Sequence, residues 1–149
     1  MTRLVLVRHL RVAASHRGLW VGGGTDPDAD EAACAEARAP MRALARAWPP
    51  DAVWCSPLRR AQQTAALVGL PLVTDPRLTE RDFGPWEGRP VDEVMADVPP
   101  EATEGTAAWL AYDPGGETSA GVAARVEACL LYTSPSPRDR TRSRMPSSA

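Results

Sequence analysis

Short apolar runs alternate along the chain with longer mixed stretches. Leu4 to Val7, "LVLV", is a leucine and valine run that stops at charge, as a strand buried on both faces does. It predicts a first strand ending in Arg8 and His9. An irregular segment with "GGGTDPD" follows. From about Ala29 to Ala47 an alanine-rich run, with Met41 and Leu44 among charges, predicts a helix. Pro40 within it predicts a kink or the start of a second helix. "DAVWCS", Asp51 to Ser56, predicts a second buried strand, and "SPLRRAQQTAALVG" a helix with Ser56 as N-cap, Pro57 at its first position and Gly69 as its stop. "LPLVT" predicts a third short strand. Loops follow from Arg77 to Pro100 with one short helix near Val91 to Ala96, and "SAGVAARVEACL" begins a last helix. No internal repeat is visible. Alternation of strand and helix predicts an α/β protein with a mainly parallel sheet.

Composition narrows the class without naming a function. At 149 residues the chain fits one domain, and its formal net charge of -2 gives no global field for nucleic acid or a membrane surface. All 17 basic residues are arginine, a bias that reads as a GC-rich bacterial gene. The three cysteines, Cys34, Cys55 and Cys129, have neither CxxC spacing nor an even count, so a reducing cytoplasm is expected, without disulfides or a zinc site. The amino-terminal apolar run is too short for a signal peptide or a membrane span.

Three places carry candidate chemistry. Arg8 and His9 close the first strand, at the edge where open α/β sheets gather ligands. The start of the helix after "CSP" offers free N–H groups beside Arg59 and Arg60, an arrangement suited to an anion. Arg59 and Arg60 lie about 100° apart on a helix, so they do not share one pocket. Glu80 sits between Arg77 and Arg81, and from the residues alone an ion pair with either is the plainer reading. A lone histidine is likewise more often structural than reactive.

Four stretches change that balance. "LVLVRH", "CSPLRRAQQTA", "LTERDFGPWEG" and "PGGET" stand in the order and approximate spacing of the histidine phosphatase superfamily, and the chain resembles that family from Leu4 to about Ala128. The resemblance implies a phosphoglycerate-mutase-like fold, a three-layer α/β sandwich with a mainly parallel central sheet. It implies that His9 is the nucleophile that forms a phosphohistidine, that Arg8 and Arg60 hold the phosphoryl oxygens, and that Glu80 protonates the leaving oxygen. Arg59 is then a surface residue. No metal or cofactor is implied, since arginines supply the positive charge, and the expected partner is a small phosphorylated metabolite. Gly84, Trp86, Glu87 and Gly88 match a structural loop beside the acid, and Glu117, after Gly115 and Gly116, is expected to pair with Arg125. "GGG" at Gly22 to Gly24 is expected to be a flexible loop on the substrate side. Leu10 stands where a glycine is common after the RH pair, and no Asn follows before Asp26. Both departures argue against a mutase and toward the small-phosphatase branch that includes α-ribazole phosphatases. Two alternatives stay open, a cofactor-dependent phosphoglycerate mutase and a non-catalytic phosphate-binding protein of the same fold.

The family also requires a second histidine, in an "HG" motif after a later strand. His16, in a polar loop close to His9, does not fit that place. Where the strand is expected, the chain reads "CLLYTSPSPRDRTRSRMPSSA", Cys129 to Ala149, which resembles translated sequencing-adapter DNA on both sides of a short index. Residues 1–128 are therefore expected to be an incomplete histidine phosphatase domain, and 129–149 a non-native, disordered tail. A chain truncated in this way is expected to be poorly stable and nearly inactive. A basic tail that binds nucleic acid is the alternative. Leu130 to Ala149 carry four Arg against one Asp, so removing them from 17 basic and 19 acidic residues leaves a body of net charge -5, which does not favour it.

Overall fold

A computed structural model of the chain describes residues 3–133. Helix α1, Glu31–Ala47, starts where Asp30 accepts the Ala33 N–H at 2.9 Å, with Glu31 in the positive first turn. Pro40 lies inside this one helix rather than opening another, and its missing N–H costs the helix a hydrogen bond. Strand β1, Val53–Cys55, pairs in parallel with β2, Leu72–Thr74, with Trp54 opposite Val73. Helix α2, Arg59–Ala66, is the crossover between them. It begins later than expected. Ser56 Oγ accepts the Leu58 N–H at 3.2 Å instead of capping the helix, and Asp26 Oδ1, far upstream, accepts the Arg59 N–H at 2.7 Å. Gly69, with φ of 79°, ends the segment as expected.

Helix α3, Val91–Asp97, matches the short helix expected there, whereas α4, Thr106–Ala111, went unforeseen in the sequence. Between and around them lies the hydrophobic core. Trp86, Val94, Val98 and Ala102 are buried, with Trp20, Phe83, Trp109 and Tyr112 packed against them. Trp20 meets Trp86 edge-on at 4.9 Å between ring centroids, and Tyr112 stacks on Trp86 at 5.6 Å.

The expected first strand is a correction. Leu4, Val5, Leu6 and Val7 are 61%, 48%, 82% and 50% exposed, and they join no ladder. An apolar run becomes a buried strand only when neighbours flank it, and among the described residues none does. The parallel sheet is accordingly two-stranded among these residues, with the order β1-β2.

Helix α5, Ser119–Thr133, continues through Cys129, where the disordered tail was expected to begin. Cys129 is buried, and its thiol donates to Asp75 Oδ2 at 3.6 Å. Arg77 Nη1 donates to Ala128 O at 3.2 Å, and Arg125 Nη1 donates to Arg77 O at 2.7 Å. These contacts hold α5 against the turn at Pro76–Leu78 as far as residue 129. Residues 134–149 of the tail lie outside the described residues.

Candidate functional site

The centre of the site is an arginine that the fold has buried. Arg60 stands in the first turn of α2 and is 1% exposed. Its Nη1 donates to Thr25 O at 2.9 Å and its Nη2 to Gly22 O at 2.8 Å, so two of its five N–H groups are spent on the loop before α1. Its buried Nε has no acceptor among the described residues. A buried charged donor without a partner is costly, and an anion arriving on the Nε side removes that cost. Burial pulls the guanidinium below its ordinary value, while the carboxylates of Glu80, Asp26 and Glu87 pull it back up. It stays charged.

Leu10, the residue after His9, is tied to Arg60 through Thr64. Thr64 Oγ1 donates to Arg60 O at 2.7 Å and accepts the Leu10 N–H at 3.0 Å, which fixes the backbone beside His9 one helical turn from Arg60. The His9 ring is half-buried, and its Nδ1 lies 2.7 Å from Leu10 O. A carbonyl only accepts, so Nδ1 carries a proton, and in the neutral ring Nε2 then keeps its lone pair. That is the tautomer a nucleophile needs.

Glu80 is exposed, and its Oε1 accepts the Arg81 N–H at 2.9 Å. It pairs with neither neighbouring guanidinium. Arg77 is taken by Asp75, with Nη2 at 2.5 Å, and Arg81 by Glu117 O, Ser119 Oγ and Tyr112 O. Glu80 is nonetheless among the carboxylates whose field reaches Arg60. Of the four candidates, the fold thus ties Arg60, His9 and Glu80 to one neighbourhood. Arg8 is exposed and makes no hydrogen bond or ion pair among the described residues, so nothing draws it to Arg60. Arg59 is on the surface, paired with Asp28 at 2.8 Å.

Two features went unread in the sequence. Asp30, besides capping α1, pins Arg11 at 3.0 Å and also Arg17. The Ala33 N–H, then the two guanidiniums, outweigh burial and hold its carboxyl below the ordinary range. The second is a correction: Gly22 to Gly24, expected to be flexible, is bound on both sides. Gly22 N–H and Gly24 N–H donate to Glu87 at 2.9 and 3.1 Å, Thr25 Oγ1 donates to the same carboxylate, and Gly23 N–H donates to Arg81 O at 2.7 Å. Burial pushes Glu87 up, but these bonds and one from Phe83 N–H more than offset it and hold the carboxyl below its ordinary value. Three glycines in a row look mobile; the matching signal was the acid 65 residues away.

Two shallow clefts of about 320 and 400 Å³ run beside Arg42 and Arg46 of α1, and neither is lined by Arg8, His9, Arg60 or Glu80. The arginines there are exposed and offer no buried donor, so the chemistry points to Arg60 rather than to the clefts. Among the described residues no three His, Cys, Asp or Glu side chains converge as a metal set, and no helix is long and apolar enough to cross a membrane.

Residues 4–141 match the family model of the histidine phosphatase superfamily, branch 1. The chain belongs to that superfamily. Among its relatives, a 2,3-bisphosphoglycerate-dependent phosphoglycerate mutase of Methylobacterium radiotolerans is 39% identical over 142 residues, covering 87% of this chain and 65% of that protein. An adenosylcobalamin/alpha-ribazole phosphatase of Salmonella typhimurium is 38% identical over 111 residues, covering 72% and 52%. The native structure of a mycobacterial glucosyl-3-phosphoglycerate phosphatase superposes with a TM-score of 0.68 at 27% identity, over 88% of this chain and 66% of that one. The chain thus spans about 65% of the first of these curated relatives. The phosphoglycerate-mutase-like fold of the superfamily is this chain's fold, and its α/β reading stands, with phosphatases and mutases both among its kin.

Proposed function

We propose that this histidine phosphatase chain is the larger part of a phosphomonoesterase that hydrolyses a small phosphorylated metabolite in the cytoplasm. In this reading His9 Nε2 attacks phosphorus while Glu80 gives its proton to the leaving oxygen, which breaks the ester bond and forms the P–N bond. Glu80, now a carboxylate, takes a proton from water, which attacks phosphorus and releases inorganic phosphate and the free imidazole. Arg60, joined by Arg8 once a phosphate draws it in, holds the phosphoryl oxygens. The single observation that carries the reading is the buried Nε of Arg60 with no acceptor, one helical turn from the backbone that fixes His9 as its Nδ1–H tautomer.

A mutase is the second reading, favoured by the 39% identity to a phosphoglycerate mutase and opposed by Leu10 after the RH pair. A module that binds phosphate without chemistry is a third. Cys129 to Ala149 belong to the same proposal as a non-native tail, so the chain as it stands is expected to turn over slowly, and its locus, read across codon 128 by an adapter-free method, to continue into an apolar strand and an "HG". The protein encoded there is the one to assay. Incubation with a labelled phosphomonoester followed by an alkaline quench is expected to leave acid-labile phosphate on the peptide containing His9 and to release inorganic phosphate. Transfer to a second acceptor hydroxyl in place of release would select the mutase. Absence of any covalent label would select the binding module.

A further inference from the structure

One loop stands between an acid and a base that never touch. Glu87 and Arg60 share no ion pair among the described residues, yet both grip Gly22 and Thr25. Gly22 gives its N–H to Glu87 Oε2 at 2.9 Å and receives Arg60 Nη2 on its carbonyl at 2.8 Å. Thr25 gives its hydroxyl to Glu87 and receives Arg60 Nη1 on its carbonyl at 2.9 Å. The carboxylate therefore gathers the donors of the loop and the guanidinium gathers its acceptors. Gly22 has to be glycine for this, because a Cβ there would run into Glu87 Oε1 and Phe83. Phe83 N–H adds a fourth donor to Glu87 at 3.2 Å, which anchors the carboxylate to the segment that carries Glu80.

We propose that Glu87 is the positioning residue for Arg60. By holding the Gly22–Thr25 loop from its N–H side, it fixes the two carbonyls that orient the guanidinium and leaves the Nε edge turned to an incoming oxyanion. The proposal rests on the reading that Arg60 takes a phosphoryl group, and it adds a residue that never touches substrate. Its physical basis is pre-organisation. An arginine side chain free to rotate loses rotamer entropy on meeting an anion, whereas one already clamped at both Nη atoms does not. Four hydrogen bonds to one carboxylate are what keeps the clamp in place, and removing the charge weakens all of them together.

The test uses the 149-residue chain, with vanadate as the oxyanion and nitrogen-15 NMR of the Arg60 Nε–H as a second readout. In the unsubstituted chain the Nε–H is expected to exchange slowly with water and vanadate to bind. With Glu87→Gln the exchange is expected to accelerate and vanadate affinity to fall, each by about tenfold, the equivalent of losing one charge-assisted hydrogen bond. In an Arg60→Lys background the same substitution is expected to change vanadate affinity by less than about twofold, because the positioned group is already gone. A purely structural role predicts a lower melting temperature with unchanged Nε–H exchange, or penalties that add in the double variant, and either result overturns the proposal. If the unsubstituted chain binds no vanadate while Glu87→Gln still frees the Nε–H, the phosphoryl reading falls and the positioning role stands. Should Glu87→Gln fail to fold, Thr25→Val removes one bond of the four. It is expected to give about a threefold loss in the same two readouts, and no change there would overturn the proposal too.

Discussion

The segment around Trp86 and the segment Leu4 to Val7 invert what their compositions suggest. The first is full of charge and glycine, yet it holds the core: Trp86 is buried under Trp20 and Tyr112, and Glu87 and Arg60 beside it have nearly all their polar atoms partnered. The second is purely apolar, yet Leu6 is 82% exposed. Apolar character sets the reward for burial, but only neighbours can deliver it, and polar groups are buried wherever partners meet them. Stability in this chain is therefore concentrated on the side of the fold that carries Glu80 and Glu87.

The sharpest way to break this contrast is Trp86→Ala. It removes the ring on which Trp20, Trp109 and Tyr112 pack, and is expected to cost about 3–5 kcal/mol in denaturant unfolding, a large share of a small domain's stability. A loss below about 1 kcal/mol would move the core elsewhere. The next effect is one of pH. Hydrogen bonds from the Arg77 side chain and N–H hold the Asp75 carboxyl at about 2, down from its ordinary 3.8. A depressed value means that the contribution is complete above the unfolded value near 3.8 and is lost as pH falls toward 2. Melting temperature should drop across that window, and Asp75→Asn should flatten the drop; an unchanged pH profile would show that the Asp75–Arg77 contact does not persist in solution. The smallest effect is expected on the other side, where Leu6→Asp should shift stability by no more than about 0.5 kcal/mol. A large loss there would mean that Leu4 to Val7 is covered in solution.

What could be read from the sequence follows from how local each cause is. Helix α1 was legible because its signals, the alanine-rich run with Met41 and Leu44 among charges, all lie within it. The Glu117–Arg125 pair was legible too, and it forms at 2.6 Å. The start of α2 was not, since Ser56 and Pro57 carry the usual local signals but Asp26 supplies the bond. Leu4 to Val7 misled because exposure is a property of the surroundings. At the candidate site, Arg60, His9 and Glu80 were singled out through the resemblance of their motifs to the superfamily. Glu87 was seen there only as part of a loop, because its partners lie across the fold at Gly22, Gly24 and Thr25.

The borrowed cap of α2 also bears on the order of folding. An isolated helix of 8 residues is marginal in water, and this one gets the bond at its first N–H from a side chain 33 residues earlier, on the far side of α1. Gln63 reinforces the tie, accepting the Ala29 N–H at 2.6 Å and donating to Asp28 at 2.6 Å. Helix and loop must then be acquired in one cooperative event, late enough for a long loop to have closed. Until that event Arg60 lacks the Thr25 and Gly22 carbonyls that clamp it, so the orientation of its guanidinium arrives with the tertiary fold and not with the helix that bears the residue.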